Sequence, residues 1–136
     1  MSDLIAFLAA RLNEKESIAK AAQLRFPGPW DRSLALDSPL PSAVSLYDSL
    51  DESFGVIRGS YAAEHIVLHH PARTLCEVEA GRAIIARYKR AAALPASVIA
   101  FTHGQDDGYA QACLDVIRDL AALYSDHPDY RQEWKP

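Results

Sequence analysis

The sequence predicts a mainly α fold with a small β-hairpin: a bundle of three main helices plus a short one, with a C-terminal aromatic segment docked on the core. Three observations predict it. Apolar residues recur at intervals of three and four along three long segments. A proline-rich interruption is followed by two short runs of apolar and β-branched residues around a polar cluster. The stretch YSDHPDYRQEWKP, from Tyr124 to Pro136, then sets three aromatic rings, Tyr124, Tyr130 and Trp134, beyond the last helical pattern. With 136 residues, 49% of them apolar and 24% charged, the chain has the balance of one globular domain able to bury a core without disulfides or metal. A single helical domain over residues 1–136 is therefore expected.

The elements follow in order. Ser2 can cap the first helix with Asp3 in its first turn, and Leu4, Leu8, Leu12, Ala19 and Ala22 share one side of a segment running to about Leu24. Asp3, Asn13, Glu14 and Ser17 take the other side, and Lys15 reaches water along its aliphatic stem. Pro27, Gly28, Pro29, Pro39 and Pro41 exclude a helix and mark residues 26–41 as a crossing loop anchored by Trp30. Residues 42–59 read as a β-hairpin, with Val44, Leu46, Phe54, Val56 and Ile57 interrupted by Asp51, Glu52 and Ser53. Its turn lacks an Asn-Gly or Asp-Gly pair, so SLDE is alternatively a helical turn.

Ser60 then caps a short helix from Tyr61 to His69, which Pro71 breaks, since the residue before proline avoids helical angles. Pro71 suits the first turn of the longest helix, which runs to about Leu94 with Val78, Gly81, Ile85, Tyr88 and Ala92 as a packing seam and Ile84 beside it. Gly81 costs about 1 kcal/mol of helix propensity relative to Ala, which points to close approach of another backbone there. Pro95 ends the helix, a short apolar run covers Ser97 to Phe101, and HGQDDG from His103 to Gly108 reads as a polar turn. The last helix carries Tyr109, Cys113, Val116, Leu120 and Leu123 as its seam, with Asp115, Arg118 and Asp119 off it.

Composition excludes several classes. Cys76 and Cys113 lie inside helical patterns without CxxC spacing, which argues against a secreted disulfide framework and for a reducing, cytoplasmic setting. The opening residues MSDLIAFLAARLNEKE have neither the basic start nor the cleavage site of a secretory signal, and no stretch reaches the roughly 20 apolar residues of a membrane span. A net charge of -4 gives no global attraction to phosphate. The absence of a P-loop or GxGxxG leaves a nucleotide cofactor without support.

Among candidate sites, His65 and His69 stand out, because histidines at i and i+4 of a helix point the same way and can share a metal ion, zinc being the alternative to no cofactor at all. Glu64 is adjacent and His70 marks the helix break; His103, Cys113 or His127 would have to complete the set from elsewhere, and no HExxH spacing fixes it. His127 could be oriented by Asp126 or Asp129 as a general base. Its setting in Asp-His-Pro-Asp favours a structural turn that returns Tyr130 and Trp134 to the core, and no nucleophile motif accompanies it. Arg73, Arg82, Arg87, Lys89 and Arg90 make the long helix basic, but they do not share one face and Glu79 lies among them, so nucleic acid is disfavoured as a partner. Asp106 and Asp107 have no Ca²⁺-loop pattern around them.

Two blocks, AAEHIVLHHPARTLCEVEAGRAII from Ala62 to Ile85 and LAALYSDHPDYRQEWKP from Leu120 onward, carry a resemblance to the DUF6221 family of small actinobacterial and actinophage proteins. That family is typified by a histidine, two variable residues and a further histidine, then a D-P-A-R-like helix start, and by an ending of the form A-D-H-P-D-Y-R-x-E-W. The stretch from Pro27 to Gly59 carries no resemblance. Many similar sequences hold a Cys-x-x-C pair between the long helix and the last, which implies zinc in those members; this chain offers only His103 and Cys113 there. The resemblance implies no activity.

The function expected from these residues is a small non-enzymatic cytoplasmic protein, of actinobacterial or prophage type by resemblance, acting on a protein partner or as a homo-oligomer. No catalytic residues are assigned. Tyr124, His127, Tyr130 and Trp134 form its structural or interaction segment. The alternatives are a metal-binding protein or metal-dependent hydrolase built on His65 and His69, and a nucleic-acid regulator using the basic helix.

Overall fold

A computed structural model of the chain describes residues 1–35, 42–93 and 100–136, the last span with its side chains from Gly108 onward. The elements are α1 (Ser2–Arg25), β1 (Asp31–Leu34), β2 (Ala43–Tyr47), β3 (Ser53–Arg58), α2 (Ser60–Leu68), α3 (Pro71–Ala92), α4 (Ala100–Ala122) and a 3₁₀ turn at Gln132–Trp134. The fold is mainly α with a small antiparallel sheet, as the sequence predicts. Pro39 and Pro41, the helix end at Leu94, Pro95, the start of the Ser97 run and the side chains of His103, Asp106 and Asp107 lie outside the described residues. The chain forms two compact units, Met1–Asn13 with Glu79–Pro136, and Glu14–Val78; α1 and α3 contribute residues to both.

In the unit of residues 14–78 the sheet has the order β1-β2-β3, all antiparallel. Central β2 is buried from Ala43 to Leu46, and Val44 and Leu46 form a core with Ala63 of α2, against which Phe54, Ile57, Ile66 and Val67 pack. The predicted hairpin is there. Its turn is closed by Asp48, 3% exposed, whose carboxylate accepts the amides of Leu50 at 2.9 Å and Glu52 at 3.0 Å. Asp51 takes the left-handed φ of 60° that Asn-Gly turns give to glycine, a conformation Asp tolerates. A side-chain turn thus replaces the missing dipeptide, and SLDE is not helical.

The crossing loop predicted at 26–41 contains a strand. β1 pairs Asp31 with Tyr47 through to Leu34 with Val44, using the backbone groups on the outer edge of β2. All four of its residues are exposed, so nothing in its side-chain pattern announces it. Trp30 is the anchor expected: its indole N–H donates to the Phe26 carbonyl at 2.8 Å, and its ring lies 4.8 Å from Phe54, which also stacks on Phe26 at 4.9 Å.

Ser60 is not the cap of α2. It is the first helical residue, and Gly59, at φ 94°, occupies the capping position with no side-chain bond. Only glycine adopts that angle freely, which lets β3 pass into α2 through a single residue. At the other end His70 precedes Pro71 and accepts the amide of Arg73 on Nδ1 at 3.3 Å, so the helix-break histidine caps α3.

In the unit of residues 1–13 and 79–136, the buried side chains are Leu4, Ile5, Phe7, Leu8, Arg11 and Leu12 of α1, Ile85 and Ala91 of α3, Leu114, Ile117 and Ala121 of α4, and Trp134. The α1 stripe is as predicted. Gly81 is a point of close approach, but to a side chain and not to a backbone: a Cβ there would stand 3.1 and 3.2 Å from the Leu12 methyls. The α3 seam turns at its end, where Ala91 is buried and Ala92 exposed.

Two expectations for α4 are corrected. Its helix begins at Ala100, so HGQDDG is helical: without a proline, its glycines and aspartates cost only about 1 kcal/mol or less each, which propagation from the neighbouring turns can offset. The predicted seam is also the wrong face. Leu114, Ile117 and Ala121 are buried, whereas Tyr109, Val116 and Leu123 are 53%, 43% and 74% exposed. These stripes differ by one residue, about 100° of helix rotation, and apolar side chains cover both, so periodicity alone does not choose between them.

Gly81→Val is expected to destabilise the protein by about 1–3 kcal/mol through overpacking against Leu12, despite the better helix propensity of valine. Urea unfolding checks this; a stabilised variant would show that the approach to Leu12 is loose.

Candidate functional site

After α4 the chain descends in tight turns, with backbone bonds from His127 to Tyr124 at 3.0 Å, Tyr130 to His127 at 2.9 Å and Trp134 to Arg131 at 3.0 Å. These turns return Trp134 to α1, where it is 7% exposed with its ring 5.1 Å from Phe7. Tyr130 meets both rings edge-on, at 6.0 Å from Phe7 and 5.8 Å from Trp134, and His127 meets Phe7 at 5.7 Å. Tyr124 is half-buried at the start of the descent.

Arg11, 8% exposed, lies beside this aromatic cluster with its guanidinium 5.2 Å over the Phe7 ring. Its Nη1 is 2.7 Å from His127 Nδ1 and also contacts Nε2 of the same ring. The Asp129 amide donates to Nδ1 at 3.1 Å, while the Asp129 carboxylate stands 3.9 Å from both Nδ1 and Arg11. An arginine and a backbone amide thus stand closer to the ring than the Asp129 carboxylate does. Outside it, Arg131 lies 5.3 Å over Trp134 and bonds Asp3 of the first turn of α1 at 2.9 Å. A groove of about 280 Å³ runs between Phe7, Arg11, Arg131 and Trp134.

Phe7, Arg11 and Arg131 are absent from the residues picked out in the sequence, and Asp3 is picked out there only for the first turn and polar side of the helix. One signal was available. Arg11 falls among Leu4, Leu8 and Leu12 on the apolar side of α1, and a charge placed there must find a partner.

His65 and His69 come together in the unit of residues 14–78. Both are exposed, with ring centroids 4.3 Å apart, and His69 Nδ1 donates to the His65 carbonyl at 2.8 Å. Glu64 faces away to Arg32 at 3.4 Å. Among the described residues no group of three or more His, Cys, Asp or Glu is placed to hold a metal ion. His69 lines an apolar groove of about 200 Å³ with Trp30, Ile18, Pro71, Thr74 and Lys15. The Lys15 ammonium bonds Glu77 at 2.9 Å and holds that carboxyl below the usual carboxylate range, with burial opposing and Arg73 adding to the effect.

The basic residues of α3 are partly engaged. Arg73 pairs with Glu77 at 3.3 Å and Arg82 donates to Asn13 at 2.8 Å. Arg87, Lys89 and Arg90 are exposed, and Lys89 and Arg90 occupy the last turn of α3, where positive charge complements the helix dipole.

Trp134→Ala is expected to cost about 3 kcal/mol, and Trp134→Phe much less, because the loss is that of ring burial against Phe7. Denaturant midpoints measure it, and an unchanged midpoint in the alanine variant would mean that the ring is not docked.

No helix among the described residues is long and apolar enough to cross a membrane. None of the curated proteins and none of the solved structures matches the chain. One family model, described as a family of unknown function, DUF6221, matches residues 1–136, and the chain therefore belongs to the DUF6221 family.

Proposed function

We propose that this protein is a small non-catalytic binding protein that docks through α4, on a protein partner or on a second copy of itself. The observation that carries this reading is the exposure of Tyr109 and Val116 on α4 and of Leu123 just past its end, three large apolar side chains at intervals of seven. Such spacing keeps them in line along the helix, as in a coiled-coil seam, and Cys113 and Leu120, both half-buried, lie between them. Contiguous exposed apolar surface is the kind of feature that interaction sites use. The row is about 22 Å long at 1.5 Å per residue. On its own it falls short of the roughly 800 Å² per partner that a stable complex buries, so the association is weak and concentration-dependent unless flanking surface joins in.

The cytoplasmic setting and the actinobacterial or prophage origin belong to the same proposal. They are supported by the two free cysteines and by the motifs of Ala62–Ile85 and the C-terminal segment.

Val116→Asp tests the reading. The residue is exposed, so stability should change by no more than about 0.5 kcal/mol. Light scattering across a range of concentrations should show self-association of the natural chain that the variant loses, or affinity purification from the native host should recover a partner that the variant fails to hold. A natural chain that is monomeric throughout and recovers no partner would end the proposal.

A further inference from the structure

We propose that His65 and His69 form a two-imidazole site for a divalent transition-metal ion at the C-terminal end of α2. The argument starts from the backbone. Positions i and i+4 put both rings on one side of the helix, and here the centroids are 4.3 Å apart, close enough for one ion to bridge them. The His65 carbonyl can only accept, so the 2.8 Å bond fixes the proton of His69 on Nδ1 and leaves Nε2 as the free lone pair. Metal-bound histidines typically have their other ring nitrogen tied in this way, which sets tautomer and orientation before the ion arrives. His65 is in the last turn of α2 and His69 is its C-cap, where the unpaired carbonyls favour positive charge.

The surroundings set the character of the site. Lys15 lines the groove beside His69, but its ammonium is engaged by Glu77, and Glu64 is drawn away to Arg32. With two protein donors and both side chains exposed, the remaining positions on the ion go to water or an incoming ligand. Binding is therefore exchangeable, and the fold does not require it. Two neutral imidazoles select the borderline ions, with Cu²⁺ ahead of Ni²⁺ and Zn²⁺. This inference is independent of docking through α4.

The test uses the full chain without a histidine tag, titrated with Cu²⁺ and Zn²⁺. One equivalent of Cu²⁺ should bind more tightly than Zn²⁺ and show coupling to two imidazole nitrogens in its electron paramagnetic resonance spectrum. Tryptophan fluorescence should be quenched, and Trp30→Phe should remove most of that quenching while leaving the spectrum unchanged, because Trp30 and His69 line one groove. His65→Asn and His69→Asn should each weaken binding at least tenfold or so with helical circular dichroism retained. Coupling to a single nitrogen, or a Cu²⁺ affinity that the double variant keeps, would overturn the assignment.

Discussion

The packing of Trp134 on Phe7 is the constraint on which the helical unit rests. It ties the segment after α4 to the first two turns of α1, residues far apart in sequence, and loop closure over that distance must be outweighed by local gains. Ordering each residue of the returning segment costs about 1–2 kcal/mol of conformational entropy. Apolar burial at about 25 cal/mol per Å², with the ring contacts among Phe7, Tyr130 and Trp134, is the main offset. Arg11 then becomes intelligible. Its guanidinium, buried on the apolar side of α1, meets the His127 ring through Nη1, so placing the charge and docking the segment are coupled.

Much of this fold was legible because helices advertise their buried faces. Leu4, Leu8 and Leu12 gave the buried side of α1, Gly81 marked a tight contact by its cost in a helix, and Trp134 announced docking by being a large ring outside any helix. What was not legible depended on groups that sequence patterns do not display. β1 exists through backbone bonds to β2 and shows no buried side chain; the hairpin turn is closed by the carboxylate of Asp48. In α4 the pattern was present twice, on faces one residue apart, and only packing decides which is buried. The pairing of His65 with His69 could be read from spacing, but the groove beside them, with Trp30 and Thr74, joins residues that periodicity within one helix cannot connect.

The seam misread on α4 also bears on function. α4 has apolar residues on two adjacent faces and buries one of them in its own core, leaving Tyr109 and Val116 of the other exposed, which is the observation behind the proposed docking. The described residues around His127 have the opposite character. Arg11, Asp3, Arg131 and the rings of Phe7, Tyr130 and Trp134 all make contacts within the chain there.

The dependence of the helical unit on the Phe7–Trp134 contact is tested most directly by a double-mutant cycle with Phe7→Leu and Trp134→Leu, read from the unfolding free energies of the natural chain, each single variant and the double. The account predicts a favourable coupling of about 1 kcal/mol between the two rings. Additive effects, with coupling below about 0.3 kcal/mol, would contradict it.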